Sequence, residues 1–202
     1  MKKAFKTSKA KRFPTLQPKL LTILLIGAII VSESLGCFFR MPRASHEAIQ
    51  VCFTPGGQCT LLVEEALAAA QNSVLVQAYY LTSDAIVNAL IAAHNRGVSV
   101  KILVDRSQLK ARASKVRPFL EEGISISIDA VPGIAHNKVM IIDDKCVITG
   151  SFNWTDAAEN RNAENLLFIR DQGISRVYRD NWEERAEKAQ VIELSDIENA
   201  AE

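Results

Sequence analysis

The stretch Ala135-His136-Asn137-Lys138-Val139-Met140-Ile141-Ile142-Asp143, continued by Gly150-Ser151-Phe152-Asn153-Trp154, decides how this chain is read. Lys138 to Ile142 is an apolar strand, Asp143-Asp144-Lys145 a polar turn, and Cys146 to Thr149 a second strand, after which Gly150 lets the chain bend sharply. Side chains on a strand alternate between its faces. His136 and Lys138 are two apart and therefore leave the same face, and Ser151 and Asn153 repeat that spacing where the second strand ends. The hairpin thus gathers an imidazole, an ammonium, a hydroxyl and a carboxamide around one anionic group. Such a set suits a nucleophile attacking phosphorus while donors hold the charge on the phosphoryl oxygens.

The spacing His136-x-Lys138-x4-Asp143-x6-Gly150-Ser151-x-Asn153 resembles the signature of the phospholipase D superfamily, and Glu164 in Asn162-Ala163-Glu164-Asn165 matches the family's downstream acidic residue. The motif occurs once. A short single-motif chain with a cationic, apolar N-terminus resembles the bacterial endonuclease branch, and the likeness runs from about Ile49 to Ala189. It implies a homodimer.

The chain has 202 residues, 48% hydrophobic and 23% charged, enough for one globular domain with a real core. The formal net charge of +1 hides an asymmetry: residues 1–36 hold seven basic side chains and one acid, leaving 17 basic and 22 acidic residues, a net of −5, over 37–202. Overall charge therefore gives no support to a nucleic-acid partner, which needs a local basic patch.

Residues 1–19 are basic, and Leu20 to Val31 is an apolar run of 12, too short for a hydrocarbon core that takes roughly 20. Cationic start, short apolar core and small residues after it predict a signal peptide over 1–36 and an exported, periplasmic or secreted domain. The alternatives are a membrane anchor at 20–31 or lipidation at Cys37, since Ser34-Leu35-Gly36-Cys37 partly resembles a lipoprotein box. A linker over 37–48, a catalytic domain over 49–190 and an acidic, frayed tail over 191–202 complete the division.

Within the domain, strands are expected at Ile49–Phe53, Ser73–Tyr80, Val98–Val104, Ser125–Ile128 and Glu164–Ile169 besides the hairpin, and helices at Thr60–Gln71, from Thr82 or Ser83 to Arg96, before Glu122, and to about Ala189. The last is given a buried stripe of Ile174, Val177, Tyr178 and Trp182. Strands alternating with helices argue for an α/β fold, a mixed sheet sandwiched between helices. Cys52 and Cys59 flank Pro55-Gly56-Gly57, and the sequence leaves their pairing open; Cys146 reads as a buried apolar residue.

By the resemblance, His136 is the nucleophile, passing through a phosphohistidine. Lys138, Ser151 and Asn153 donate hydrogen bonds to the phosphoryl oxygens, and Glu164 accepts the imidazole's other N–H and fixes its tautomer. Asp143, sharing a turn with Asp144, is given a structural role. His94 favours a helix C-terminus, and His46 carries no signal. Arg106, Lys110, Arg112, Lys115 and Arg117, five cations in twelve residues without an acid, are the candidate contacts to a nucleic-acid backbone; a solvated helix face is the competing reading.

No cofactor is expected, and no Cys/His spacing suggests a metal. The reading is an endonuclease of little sequence preference acting on DNA or RNA. A phospholipid-hydrolysing enzyme shares the motif, which reads only a phosphodiester. A non-catalytic DNA-binding or envelope interaction protein is the rival of another class. It is disfavoured because binding alone needs neither the imidazole nor its carboxylate.

Overall fold

A computed structural model describes residues 48–111 and 114–201. The expected leader, the linker up to residue 47 and Arg112 lie outside the described residues. In chain order the elements are β1 (Ile49–Thr54), α1 (Cys59–Ala69), β2 (Ser73–Ala78), α2 (Asp84–Asn95), β3 (Ser99–Val104), a 3-10 turn (Arg106–Leu109), α3 (Val116–Glu121), β4 (Ser125–Ile128), β5 (Lys138–Ile142), β6 (Cys146–Gly150), α4 (Asp156–Asn160), β7 (Glu164–Ile169), α5 (Gln172–Ala186), β8 (Gln190–Val191) and α6 (Leu194–Ala201).

The strands form one mixed sheet in the order β1-β7-β6-β5-β2-β3-β4-β8. β2, β3 and β4 run parallel, and every other pairing is antiparallel. The motif hairpin sits mid-sheet, β5 between β2 and β6, and all five residues of β5 are buried. Its alternation splits the core. Met140 and Ile142 join the larger cluster beneath α1 and α2, whereas Val139 and Ile141 join Leu75, Leu103, Val147 and Trp182 beneath α5. Burying such side chains contributes roughly 1.5–3 kcal/mol each, an upper figure for an extended unfolded chain. The expected α/β sandwich is what forms.

Two local devices fix the hairpin. Asp143 and Asp144 take left-handed φ values of 53° and 57°, the conformation a tight antiparallel turn demands and one that Asp tolerates. The Asp143 carboxylate then accepts the backbone N–H groups of Gln71, Asn72 and Ser73 at 3.0, 2.7 and 2.9 Å, tying the turn to the start of β2. Burial pushes its carboxyl upward, but those N–H donors and the Lys145 charge outweigh it and hold the group below the ordinary carboxylate range. Elsewhere, Arg96 donates to the Leu67 carbonyl at the end of α1 at 2.8 Å, a cation completing a helix C-terminus. Cys52 and Cys59 form a disulfide across the Pro-Gly-Gly turn, and Cys146 is a half-buried free thiol.

Two expectations are corrected. The buried side of α5 carries Ser175, Tyr178 and Trp182, while Ile174 and Val177 are exposed, because Trp182 sets the helix's rotation by reaching the Val76 carbonyl at 3.0 Å. The acidic tail is not frayed. Gln190 and Val191 add a strand beside β4, Ile192 is buried, and α6 follows with Ile197 against the larger core. The domain thus extends past residue 190. Among the described residues no helix is long and apolar enough to cross a membrane.

Candidate active site

His136 ends the loop that leads into β5, and its imidazole is exposed. Three contacts fix the loop. Asn137 accepts from the Tyr79 N–H at 3.1 Å, extending the β2–β5 pairing by a residue. Asp105, 1% exposed at the end of β3, accepts the N–H of Ala135 at 2.8 Å and of Ser107 at 2.9 Å. Burial opposes that carboxylate, yet the Ser107 and Ala135 donors and the Arg106 charge hold it below the ordinary range. Arg106 in turn donates to the Val131 carbonyl within the same loop.

Lys138 is 5% exposed, an unusual place for an ammonium. Its Nζ stands 3.0 Å from His136 Nδ1 and donates to the His136 carbonyl at 2.6 Å. Burial pushes the lysine pKa down, opposed by the charge of Glu164. With Nδ1 engaged, Nε2 is the nitrogen left to meet a substrate. If a neutral Lys138 amine accepts from Nδ1–H, Nε2 holds its lone pair; if an ammonium donates to Nδ1, the neutral ring carries its proton on Nε2.

The other half of the site begins at Gly150. A Cβ there would stand 2.2 Å from the Asn165 carbonyl oxygen, so glycine alone lets β6 end this close to β7. Ser151 is thereby delivered to Glu164, donating to its Oε2 at 2.5 Å, while the Ser151 oxygen accepts the Asn165 N–H at 3.1 Å. The second Glu164 oxygen accepts from Asn162 at 2.9 Å. In the single chain Glu164 makes no hydrogen bond to the imidazole. Both its oxygens bond Ser151 and Asn162, and the nitrogen contact to the imidazole comes from Lys138. Ser151 likewise spends its proton on Glu164.

Asn153 is set by its neighbours. Phe152 and Trp154 are fully buried, with Trp154 donating to the Gln77 carbonyl at 3.2 Å, so the residue between them faces the opposite way; it is half-buried, and its Oδ1 is buried without a hydrogen-bond partner among the described residues. It lines a cleft of about 590 Å³ together with Tyr80, Lys115, Thr155, Arg161 and Asn162, among others.

The basic segment is not one free patch. Lys115 pairs with Asp84 at 2.7 Å, and Arg117 lies 3.8 Å from Glu121 and 3.7 Å from Glu198. Lys110 makes no ion pair among the described residues. Of the segment's described cations only Lys115 borders the cleft, where Arg161, which the sequence did not single out, joins it. Tyr79 and Asp105 were missed as well; an aromatic and a carboxylate at the C-terminal ends of adjacent parallel strands were the available signal. Among the described residues no three His, Cys, Asp or Glu side chains cluster as metal ligands would.

An exposed imidazole with a buried amine beside it, and a carboxamide at the end of a neighbouring central strand, suit phosphoryl chemistry. The family described as "Cardiolipin synthase, PLD-like domain" matches residues 63–186. The chain is 49% identical over 144 residues to phospholipase D of Rickettsia typhi, covering 71% of each protein. It is 32% identical over 184 residues to the mitochondrial cardiolipin hydrolase of Xenopus laevis, covering 79% of this chain and 87% of that one. Among solved structures, the phospholipase D family member Nuc from Salmonella typhimurium matches with a TM-score of 0.68 and 35% identity, over 72% of this chain and 97% of that one. The chain belongs to the phospholipase D superfamily and is a phosphodiesterase of it.

Proposed function

We propose that this phosphodiesterase is an endonuclease of the single-motif branch, cleaving DNA or RNA with little sequence preference through a phosphohistidine. His136 Nε2 attacks phosphorus, the N–P bond forms as the P–O bond breaks, and the leaving oxygen takes a proton from an acid on its far side. Water then attacks phosphorus while giving a proton back to that far-side group, the N–P bond breaks, and the imidazole is freed. Lys138 and Asn153 hold the phosphoryl oxygens. Ser151 and Glu164 act as a pair, Glu164 keeping Lys138 disposed to carry a proton.

The observation that carries the nucleic-acid reading is the cleft beside Asn153, where two cations, Lys115 and Arg161, stand with Asp156 among mostly polar side chains. Relatives named phospholipase D and cardiolipin hydrolase keep the lipid reading as the second one. Parallel turnover of DNA, RNA and phosphatidyl substrates by purified protein tests this; faster turnover of the phosphatidyl substrate overturns the endonuclease reading.

The working unit we propose is a homodimer with the site on its two-fold axis. The exposed apolar side chains Ile49, Val51 and Phe53 on edge strand β1 support self-association. We also propose export from the cytoplasm, supported by the Cys52–Cys59 disulfide together with the N-terminal pattern. N-terminal sequencing that finds Lys2 retained on membrane-fixed protein would favour the anchor instead.

A further inference from the structure

We infer that Tyr79 is a positioning residue whose ring face holds the Lys138 amine and the His136 imidazole in one reactive geometry. The inference rests on the reading of His136 and Lys138 as the reacting pair. Tyr79 follows β2 directly, and its backbone N–H to Asn137 places it beside the segment 136–138. Its ring centroid lies 4.5 Å from that of His136, with the planes at 52°, and 5.0 Å from Lys138 Nζ. On its other flank Tyr80 stands at 4.3 Å and 59°. The ring is therefore held by its own backbone and by Tyr80, and it touches both reacting side chains.

The chemistry of that contact is specific. An aromatic face is electron-rich and attracts a cation within about 6 Å of its centroid, more strongly where water is excluded. Lys138 is buried, which disfavours its ammonium. The groups that face it are His136 on its own segment, Glu164 from β7 and Tyr79 after β2, with Asp105 from β3 near the tyrosine. Glu164 and the ring face favour the charged lysine, and burial opposes them. Tyr80, then burial, then the Asp105 charge push the Tyr79 phenol above its ordinary value, so the ring stays neutral and keeps its attractive face. A proton moving between Lys138 and His136 thus stays against one fixed platform.

The test uses bis(4-nitrophenyl) phosphate, which reads phosphodiesterase chemistry whatever the natural substrate is. Tyr79→Phe keeps the face and loses only the hydroxyl. Tyr79→Leu loses the face. Pentafluorophenylalanine at position 79 keeps the shape and strips the face of its electron density. Expected are near wild-type kcat for Tyr79→Phe, a fall of roughly 10- to 100-fold for Tyr79→Leu with KM little changed, and a fall for the pentafluoro ring. Carbon-13-labelled lysine should show Lys138 losing its proton at lower pH in the last two than in Tyr79→Phe. Equal kcat and equal lysine titration across Phe and pentafluoro variants, which differ little in shape, would overturn the inference even if Tyr79→Leu failed to fold. Equal damage in Tyr79→Phe and Tyr79→Leu would overturn it too, assigning the effect to the hydroxyl. His136→Ala run alongside separates the two failures: full activity there sinks the underlying site reading and the platform with it.

Discussion

Lys138 Nζ lies 3.0 Å from His136 Nδ1 and 2.6 Å from the same residue's carbonyl oxygen, so the amine and the imidazole are tied to each other before any substrate arrives. On this geometry Lys138→Met should lower kcat for a phosphodiester by roughly 10²- to 10³-fold, the usual cost of removing a donor to the developing charge. Lys138→Arg should not restore it, because a planar guanidinium cannot take the amine's place between Nδ1 and the carbonyl. Steady-state kinetics on folded variants decide the matter; an arginine variant within threefold of wild type would refute the argument.

Asp143, which falls within the sequence spacing that resembles the family signature, is bound to the start of β2 and is expected to act on stability. Its three backbone N–H contacts make Asp143→Ala destabilising by about 1–2 kcal/mol, after discounting for a partly solvated turn, with kcat unchanged. The pH dependence has a definite sign. The folded carboxyl is held below its unfolded value of about 3.9, so its contribution is complete above that pH and fades as pH falls through the folded pKa. Denaturation curves of wild type and variant should therefore differ at pH 7 and converge in acid. A gap that widens in acid contradicts the role.

The fold was legible because its signals are local. β4 and β7 fall on the expected residues, and the apolar run from Lys138 to Ile142 is the central strand it looked like. The tail misled because a strand of two residues at a sheet edge leaves almost no pattern. Of the site residues that spacing picked out, His136 and Lys138 stand side by side, and Ser151 beside Glu164, but spacing did not give their hydrogen-bond partners. Glu164 meets Ser151 because Gly150 lets two backbones approach, a tertiary distance that no spacing encodes. Arg161 was passed over because one cation after a short helix has no pattern, whereas the 106–117 run had one, yet two of its cations, Lys115 and Arg117, are paired with acids.

Which cations face the substrate is open to direct measurement. If the cleft binds a polynucleotide backbone, Arg161→Ala should weaken DNA binding and reduce the slope of log K against log salt by nearly one. Arg117→Ala, already engaged by Glu121 and Glu198, should change that slope far less. The reverse ranking would return the phosphate contacts to the 106–117 segment.

Activity should also survive chelation. The proposed mechanism gives the nucleophile to His136 and charge neutralisation to Lys138 and Asn153, so EDTA should leave turnover of DNA unchanged. Loss in EDTA with recovery on adding magnesium or zinc would replace the phosphohistidine route with a metal-assisted one.

The shared site makes the strictest demand. In-line displacement needs a nucleophile on one side of phosphorus and an acid on the other. His136 is fixed by Lys138 and Tyr79 and cannot serve both sides, and His94 lies in the last turn of α2. A two-fold axis would supply the partner subunit's His136 as the acid, an isologous arrangement common among chains of this size. One imidazole must then be neutral while the other is protonated, and kcat/KM should be bell-shaped in pH, with both limbs belonging to the pair. Wild-type and His136→Ala chains, refolded together so that subunits exchange, provide the direct reading. If one histidine cannot do both tasks, heterodimers are nearly inactive and activity follows the square of the wild-type fraction. A linear dependence, or full activity from a monomer shown by light scattering, would sink the shared site while leaving His136 as the nucleophile.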